Sequence, residues 1–336
     1  MRTFVGLVII AALAAAGWVA WAVLVPTAPS GQVFVMLRPG YSTRRIASEL
    51  KANGIIRSEE AFIFWHYVHH ARPLQAGEYL FEKPANLVDV QKRLARGDVY
   101  FHTVVIPEGF TIFDIASAIE AAGLGPAQDF LKIAESNALV APMDPDAQSL
   151  EGYLFPDTYQ FSRMMTMQEM AAAMVKQFRQ VATEIGMIPD SPKAPPDADT
   201  QLHTNVIMAS IVEKETSVAE ERPLVASVYY NRLQKKIALD ADPSVIYGEL
   251  LSGTYAGALH HDDMHFNSPY NTYIHTGLPP GPIGNPGKSA LEAAMHPAQS
   301  DYYYFVADAE GHHRFARTFE EHNNNVAAYR RAMRSH

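Results

Sequence analysis

The chain begins with an unbroken apolar segment. Residues 4–25 contain no charged side chain, and they lie between Arg2 and Pro26. About 20 apolar residues span a bilayer as a helix, whereas the apolar core of a cleaved signal peptide has about 7–15. The segment therefore predicts a transmembrane helix over residues 4–25, with a signal peptide as the alternative. Because positive charge favours the cytoplasmic side, residues 1–3 are expected inside and the rest of the chain outside.

A second pattern occurs twice after a short tether at residues 26–32, which is rich in Pro and Ser. Each copy has an apolar strand, a glycine turn, an amphipathic helix that starts at a hydroxyl residue, and a closing glycine. Such units bind glycan in some proteins and only pack in others, so both interpretations stay open. The predicted elements are strands at 33–37, 76–81 and 103–106 and helices capped by Ser42 or Thr43, by Thr111, and opening at Leu87.

The remainder of the chain alternates helical periodicity with polar loops. The segment 266–287 is dense in Asn, Pro and Gly and predicts a long ordered loop, which is where functional residues are often found. The predicted elements are helices at 167–185, 201–217, 219–236, 243–251 and 289–295, a loop at 187–200, strands at 302–307 and 314–316, and a last helix with a capping box from Thr318 to Glu321.

Composition removes several classes of function. The formal net charge of −9 argues against a nucleic-acid partner, because such proteins present basic patches. The chain has no cysteine, which excludes disulfides, zinc–thiolate sites and cysteine nucleophiles. The cluster of His260, His261, Asp262, Asp263 and His265 matches no zinc-site spacing, so an exposed polar loop is expected there and no metal or other cofactor is predicted.

Glu215 is the strongest candidate for chemistry. At about 100° per residue, Ile207, Ile211, Met208 and Val212 form one apolar stripe, and Glu215 falls in its middle. A carboxyl group in apolar surroundings has a raised pKa, as a general acid at neutral pH requires. The alternative is a glutamate at the helix end that pairs with Lys or Arg or is exposed because the helix stops early.

Other acidic residues allow two interpretations each. Glu213 points off the stripe and is expected to be solvated or salt-bridged. Asp157 could cap a helix or orient substrate. Asp240 or Asp242 could supply a second carboxylate, although Asp242-Pro243 also fits a helix start with Asp242 as the N-cap.

The segment around Glu215 is Ala209-Ser210-Ile211-Val212-Glu213-Lys214-Glu215-Thr216. It resembles the signature of the endolytic murein transglycosylases, the YceG-like family, and similar pieces occur in the family's order over nearly the whole chain. They include residues 150–159, 225–233 and 242–248, Tyr270-Asn271-Thr272-Tyr273, residues 277–283 and 304–307, and His313, Phe315 and His322-Asn323.

The resemblance implies a reaction and a site. Glu215 would be the single catalytic acid/base of a lyase that cleaves the β-1,4 bond between N-acetylmuramic acid and N-acetylglucosamine and leaves a 1,6-anhydro end. Thr216, which follows it, is expected among the substrate-binding residues. Tyr270, Asn271 and Tyr273 suit sugar binding, since aromatic faces stack on pyranose rings and an amide bonds hydroxyls or acetamides. The alternative for these three residues is loop scaffolding.

The resemblance also implies an α+β architecture and a place of action. A LysM-like strand–helix region is expected at 33–100 and a mainly helical, lytic-transglycosylase-type catalytic domain with a minor sheet at 101–336. The expected partners are nascent peptidoglycan strands and the synthases that make them, beside the membrane that holds the anchor. The competing functions are a muramidase that uses Glu215 with an aspartate, and a glycan-binding scaffold without chemistry.

Overall fold

The structure, a computed structural model, describes residues 2–69, 72–189 and 201–334. It confirms a mixed α+β chain with one apolar N-terminal helix and small two-stranded sheets. The chain forms two compact units, Met1–Thr103 with Gln160–Thr166, and Val104–Tyr159 with Met167–His336. The first is called unit 1 and the second unit 2. The predicted division at residue 100 stays a prediction.

Unit 1 joins the apolar helix to a small strand–helix body. Strands β1 and β2 are antiparallel, with Val33 opposite Phe81 and Leu37 opposite Gly77. Ser42 caps its helix by accepting from the backbone N–H of Arg45, as the sequence predicts. The elements are α1 (Arg2–Leu24), β1 (Val33–Leu37), α2 (Thr43–Ala52), α3 (Glu59–Val68), β2 (Gly77–Phe81) and α4 (Leu87–Arg96).

The repeat seen in the sequence is larger than its pattern indicates. The second copy is β3 (His102–Val105), α5 (Ile112–Ala121), α6 (Ala127–Ala134) and β4 (Thr158–Phe161), so each copy has the order strand, helix, helix, strand. Strands β3 and β4 pair, and the division between the two units falls within them. The sequence pattern does not predict α3 or α6, because α3 carries apolar residues on several faces and α6 is short.

Helix α8 lies at the centre of unit 2. Every residue from 206 to 212 is buried, so the middle of this helix is enclosed on all sides by its contacts with α9, α10 and α11. The predicted loop at 187–200 falls largely outside the described residues. The remaining elements are α7 (Met167–Glu184), α8 (Gln201–Glu215), α9 (Arg222–Lys235), α10 (Asp242–Ser252), α11 (Lys288–Met295), β5 (Tyr304–Ala307), β6 (His313–Ala316) and α12 (Phe319–Arg334).

A buried polar bridge joins distant parts of unit 2. The Asn285 amide donates to the Phe110 carbonyl at 2.9 Å and to Glu151 Oε1 at 2.7 Å, and its oxygen accepts from the Leu154 N–H at 2.8 Å. Glu151 also accepts from the first N–H of α5, at Ile112. Burial raises the pKa of Glu151 to about 8.

Candidate active site

Glu215 is the last residue of α8 and lies in a cleft of unit 2. The Tyr229 hydroxyl, on α9, donates a hydrogen bond to Glu215 Oε1 at 2.7 Å. The cleft walls are largely aromatic, and polar groups stand among the rings. Its aromatic residues include Tyr273, Tyr303, Tyr304, Phe305 and Phe319, and its polar ones Arg232, Asp240, Asp242 and His322.

The surroundings of Glu215 raise its pKa to near neutrality. Burial raises the pKa of Glu215 to about 7, and the negative charge of Asp242 acts in the same direction. The hydrogen bond from Tyr229 opposes this, because it stabilises the ionised carboxylate. The raised pKa agrees with the sequence expectation. A carboxyl group with a pKa near neutrality can both donate and accept a proton, which is the requirement for acid/base chemistry.

Glu213 was expected to be solvated or salt-bridged, and the structure shows the salt bridge. Its side chain is 5% exposed and pairs with Arg222 Nη2 at 2.7 Å, while its second oxygen accepts from the Gly287 N–H at 2.9 Å. Arg222 also contacts Glu108 and donates to Ser289. The ion pair forms because α9, which carries Arg222, and the segment before α11 cover that side of α8.

The two aspartates in the cleft differ in their partners. Asp240 has a left-handed backbone, with φ of 53°, and pairs with Arg232 Nη1 at 3.0 Å. Asp242 is exposed and accepts a hydrogen bond from the Tyr273 hydroxyl. The N-cap assignment of Asp242 is wrong by one residue, since Ala241 is the N-cap of α10 and no side chain caps the helix. The Asp242 carboxylate is thereby left to face the cleft.

The loop that was expected to bind sugar divides between two roles. Tyr273 lines the cleft. Asn271 is fully buried, and its amide donates to the carbonyls of Met264 and Phe266 at 3.0 and 2.8 Å while its oxygen accepts from the Tyr273 N–H. These bonds correct the expected substrate contact and are those of the scaffolding alternative. Asn271 stabilises the loop, since the hydrogen-bonding groups of its side chain are all paired with backbone groups.

The other expected substrate contacts lie away from the cleft lining. Tyr270 packs against Tyr247, with ring centroids 5.0 Å apart. Thr216 is buried, and its hydroxyl accepts from the Val218 N–H at 3.1 Å. Asp157 is exposed and bonds the Thr158 N–H. Their roles as substrate contacts stay predictions.

Several cleft residues were missed as site residues. Tyr229 sits among buried residues of α9, and Arg232 donates to the carbonyls of Tyr303, Ala238 and Leu239. His322, on α12, stacks on Tyr304 with centroids 5.3 Å apart. Polar side chains within otherwise apolar helical segments were the signal in the sequence that could have indicated these residues. Only the packing of the helices shows which of them line the same cleft as Glu215.

We expect Asn271→Ala to lower the melting temperature and the activity together. The substitution leaves two carbonyls and one N–H without their partner, which costs about 1–3 kcal/mol when such groups are buried. Thermal unfolding and turnover measured on the same sample check this. The matched control is Asn267→Ala, at an exposed position of the same loop. Full thermal stability with reduced turnover would restore the substrate-contact interpretation.

Known proteins resemble this chain over most of its length. The sequence model of the YceG-like family matches residues 35–328, and the chain belongs to that family. It is 33% identical over 313 residues to a Bacillus subtilis protein named endolytic murein transglycosylase, covering 88% of this chain and 84% of that protein. A protein of the same name from Streptococcus pneumoniae (strain D39) is 30% identical over 331 residues, covering 88% of this chain and 58% of that one.

A solved structure is also similar. The crystal structure of a YceG-like protein from Listeria monocytogenes superposes with a TM-score of 0.55 at 32% sequence identity. The match covers 87% of this chain and 98% of that one.

Proposed function

We propose that the protein is a peptidoglycan lytic transglycosylase that cuts glycan strands internally at the N-acetylmuramic acid–β-1,4–N-acetylglucosamine bond. The observation that carries the proposal is the position of Glu215, a half-buried residue whose carboxyl group has a pKa of about 7, in an aromatic cleft. Two relatives that this chain matches over 88% of its length carry the name endolytic murein transglycosylase.

In the proposed mechanism Glu215 performs both proton transfers. It first protonates the glycosidic oxygen, and the bond from that oxygen to C1 of the muramic residue breaks with development of an oxocarbenium-like centre. The ionised Glu215 then takes the proton from the C6 hydroxyl of the same sugar, whose oxygen bonds C1 and closes the 1,6-anhydro ring. Water does not enter the product, and Glu215 regains its proton.

Asp242 favours a second candidate function. Its exposed carboxylate lines the same cleft and is close enough to raise the pKa of Glu215. An acid and a second carboxylate are the pair that most glycoside hydrolases use, so a muramidase is the alternative.

Mass spectrometry of the cut strands separates the two reactions. The transglycosylase leaves an anhydro end that is lighter by one water than the reducing end of a hydrolase. Reducing ends alone would refute the proposal in favour of the muramidase, and an absence of turnover on purified sacculi would leave a glycan-binding scaffold.

We expect Tyr229→Phe to move the alkaline limit of activity to higher pH. Glu215 must be protonated to act first as an acid, so activity is lost as pH rises through its pKa of about 7. The hydroxyl of Tyr229 lowers that pKa, and its removal raises it. The pH profile of kcat/KM checks this against Tyr230→Phe, whose hydroxyl bonds the Ala294 carbonyl instead. An unchanged profile, or a limit at lower pH, would show that the Tyr229 bond does not act on Glu215.

The proposed site of action is the outer face of the cytoplasmic membrane. Helix α1 contains an apolar stretch, Phe4–Leu24, that is long enough to cross a bilayer, with Arg2 as the positive residue on the inner side. The strand–helix–helix–strand order of unit 1 is the support for calling it LysM-like. Peptidoglycan synthases are the proposed partners, through the family resemblance alone.

We expect the protein to stay in the membrane fraction after carbonate extraction, with protease reaching its bulk only from the outer face. The reason is the uncharged span, which an alkaline wash does not remove from lipid. Fractionation and protease protection measure both properties. A soluble form that starts near residue 27 would identify the segment as a signal peptide.

A further inference from the structure

The outer end of α1 is packed into unit 1. Val19, Ala22 and Val23 belong to the same apolar cluster as Ala61 and Phe62 of α3. By contrast, the side chains from Leu7 to Trp18 are exposed. The last turns of the apolar helix therefore pack on protein.

Two further contacts fix this arrangement. The Arg57 guanidinium, just before α3, donates to the carbonyls of Val25 and Pro26 and lies 4.8 Å from the centre of the Trp21 ring. A cation at the carboxyl end of a helix is favoured by the helix dipole. Thr27, in the predicted tether, pairs with Ala85 through two backbone hydrogen bonds of 2.9 and 3.1 Å. The body of unit 1 is thus held directly to α1.

Helix α3 exposes apolar side chains beside this junction. Phe64 is 56% exposed and Tyr67 66% exposed, and Val68 follows them on the same face at helical spacing. Phe62, on the opposite side of α3, is buried in the cluster that includes α1, as is the small side chain of Ala61. Adjacent exposed aromatic residues mark an interaction surface more often than isolated ones do.

The end of α1 indicates what covers that surface. Its 21-residue apolar stretch is about 30 Å long, the thickness of the hydrocarbon core. Trp18 and Trp21, both half exposed near its outer end, suit the headgroup level where tryptophan is enriched. Because α3 packs on this end of α1, it lies at the same level.

We propose that α3 is seated in the outer interfacial layer of the bilayer, with Phe64 and Tyr67 in contact with lipid. The inference rests on the proposed membrane anchor and deepens it. Unit 1 then has one fixed orientation on the membrane surface, set by α1 and α3 together.

The absence of cysteine makes the test direct, since single cysteines can be introduced into the full chain and spin-labelled. Phe64→Cys and Tyr67→Cys probe the surface, Ala12→Cys probes the span, and Arg44→Cys, at an exposed charged position on α2, is the aqueous control. The protein is placed in vesicles of phosphatidylethanolamine with a minority of phosphatidylglycerol. Collision rates with lipid-soluble oxygen and with a water-soluble nickel chelate are measured for each label.

We expect labels at positions 64 and 67 to collide more with oxygen than with nickel, as at position 12, and the label at position 44 to do the reverse. Labels at 64 and 67 that behave like the one at 44, with position 12 in lipid, overturn the seating of α3 and leave the anchor intact. Shielding of 64 and 67 from both reagents indicates a protein partner and also overturns it. A water-exposed label at position 12 refutes the anchor itself.

Discussion

Glu215→Gln is expected to reduce glycan cleavage by about a thousandfold or more while the fold and glycan binding are retained. Glutamine has the shape of glutamate but cannot carry the proton, and general acid–base catalysis contributes about 10²–10⁴-fold. The loss is expected in the upper part of this range because, in the proposed mechanism, one carboxyl group serves both proton transfers. The Tyr229 hydroxyl can still donate to the amide oxygen, so the local packing is kept.

Initial rates on purified strands, with melting temperature and sacculus binding from the same preparation, measure this effect. Glu220→Gln is the matched control, since Glu220 is exposed in the short 3₁₀ helix Ala219–Glu221 just after the site. Near-wild-type turnover by the Glu215 variant would remove Glu215 from the mechanism, whatever the control shows.

Arg222→Leu is expected to cause the largest loss of stability, about 3–5 kcal/mol, because it leaves a buried carboxylate without its counter-ion. Arg222 is 7% exposed and is held by Glu213, Glu108 and Ser289. The control is Arg317→Leu, which removes an exposed ion pair with Asp301 and should cost about 0–1 kcal/mol. Thermal unfolding of both variants compares the losses in stability. Equal losses would show that the ion pair of Arg222 with Glu213 contributes no more to stability than an exposed pair does.

The Arg222 effect should depend on pH with a definite sign. Burial already raises the pKa of Glu213, and Arg222 counteracts that increase. Removing Arg222 raises this pKa further, so the folded variant favours protonated Glu213 more strongly than the wild type does. The stability deficit is therefore smallest in acid, where Glu213 is protonated in both proteins, and grows as pH rises through the pKa of Glu213.

Local chemistry made many element boundaries predictable. Ser42 and Thr111 cap their helices as expected, and Thr318 forms the predicted capping box with Glu321. These signals act within four residues, so sequence alone is enough to find them. Helix α3 was not predicted, because its aromatic residues lie on several faces and form no single apolar stripe.

Contacts between helices and strands could not be predicted from the sequence. The stripe argument treated α8 as one-sided, whereas every residue in the middle of the helix is buried. For that reason it left open whether Glu213 would be solvated or salt-bridged. The partners of Tyr229 and Arg222 depend on how α9 packs against α8, which neither periodicity nor spacing encodes. Asn271 was misassigned because an amide suits backbone carbonyls as well as sugar hydroxyls.

The bridge at Asn285 has a consequence for the order of folding. Asn285 closes bonds to Phe110, Glu151 and Leu154, each more than a hundred residues earlier in the chain. Until that asparagine arrives, the buried Glu151 carboxyl lacks one partner, and the early part of unit 2 cannot complete its interior. Contacts of such long sequence separation form slowly, because the intervening chain must first be ordered. We therefore expect unit 2 to complete its interior only after Asn285 has been synthesised, which would suit the proposed export of the chain across a membrane.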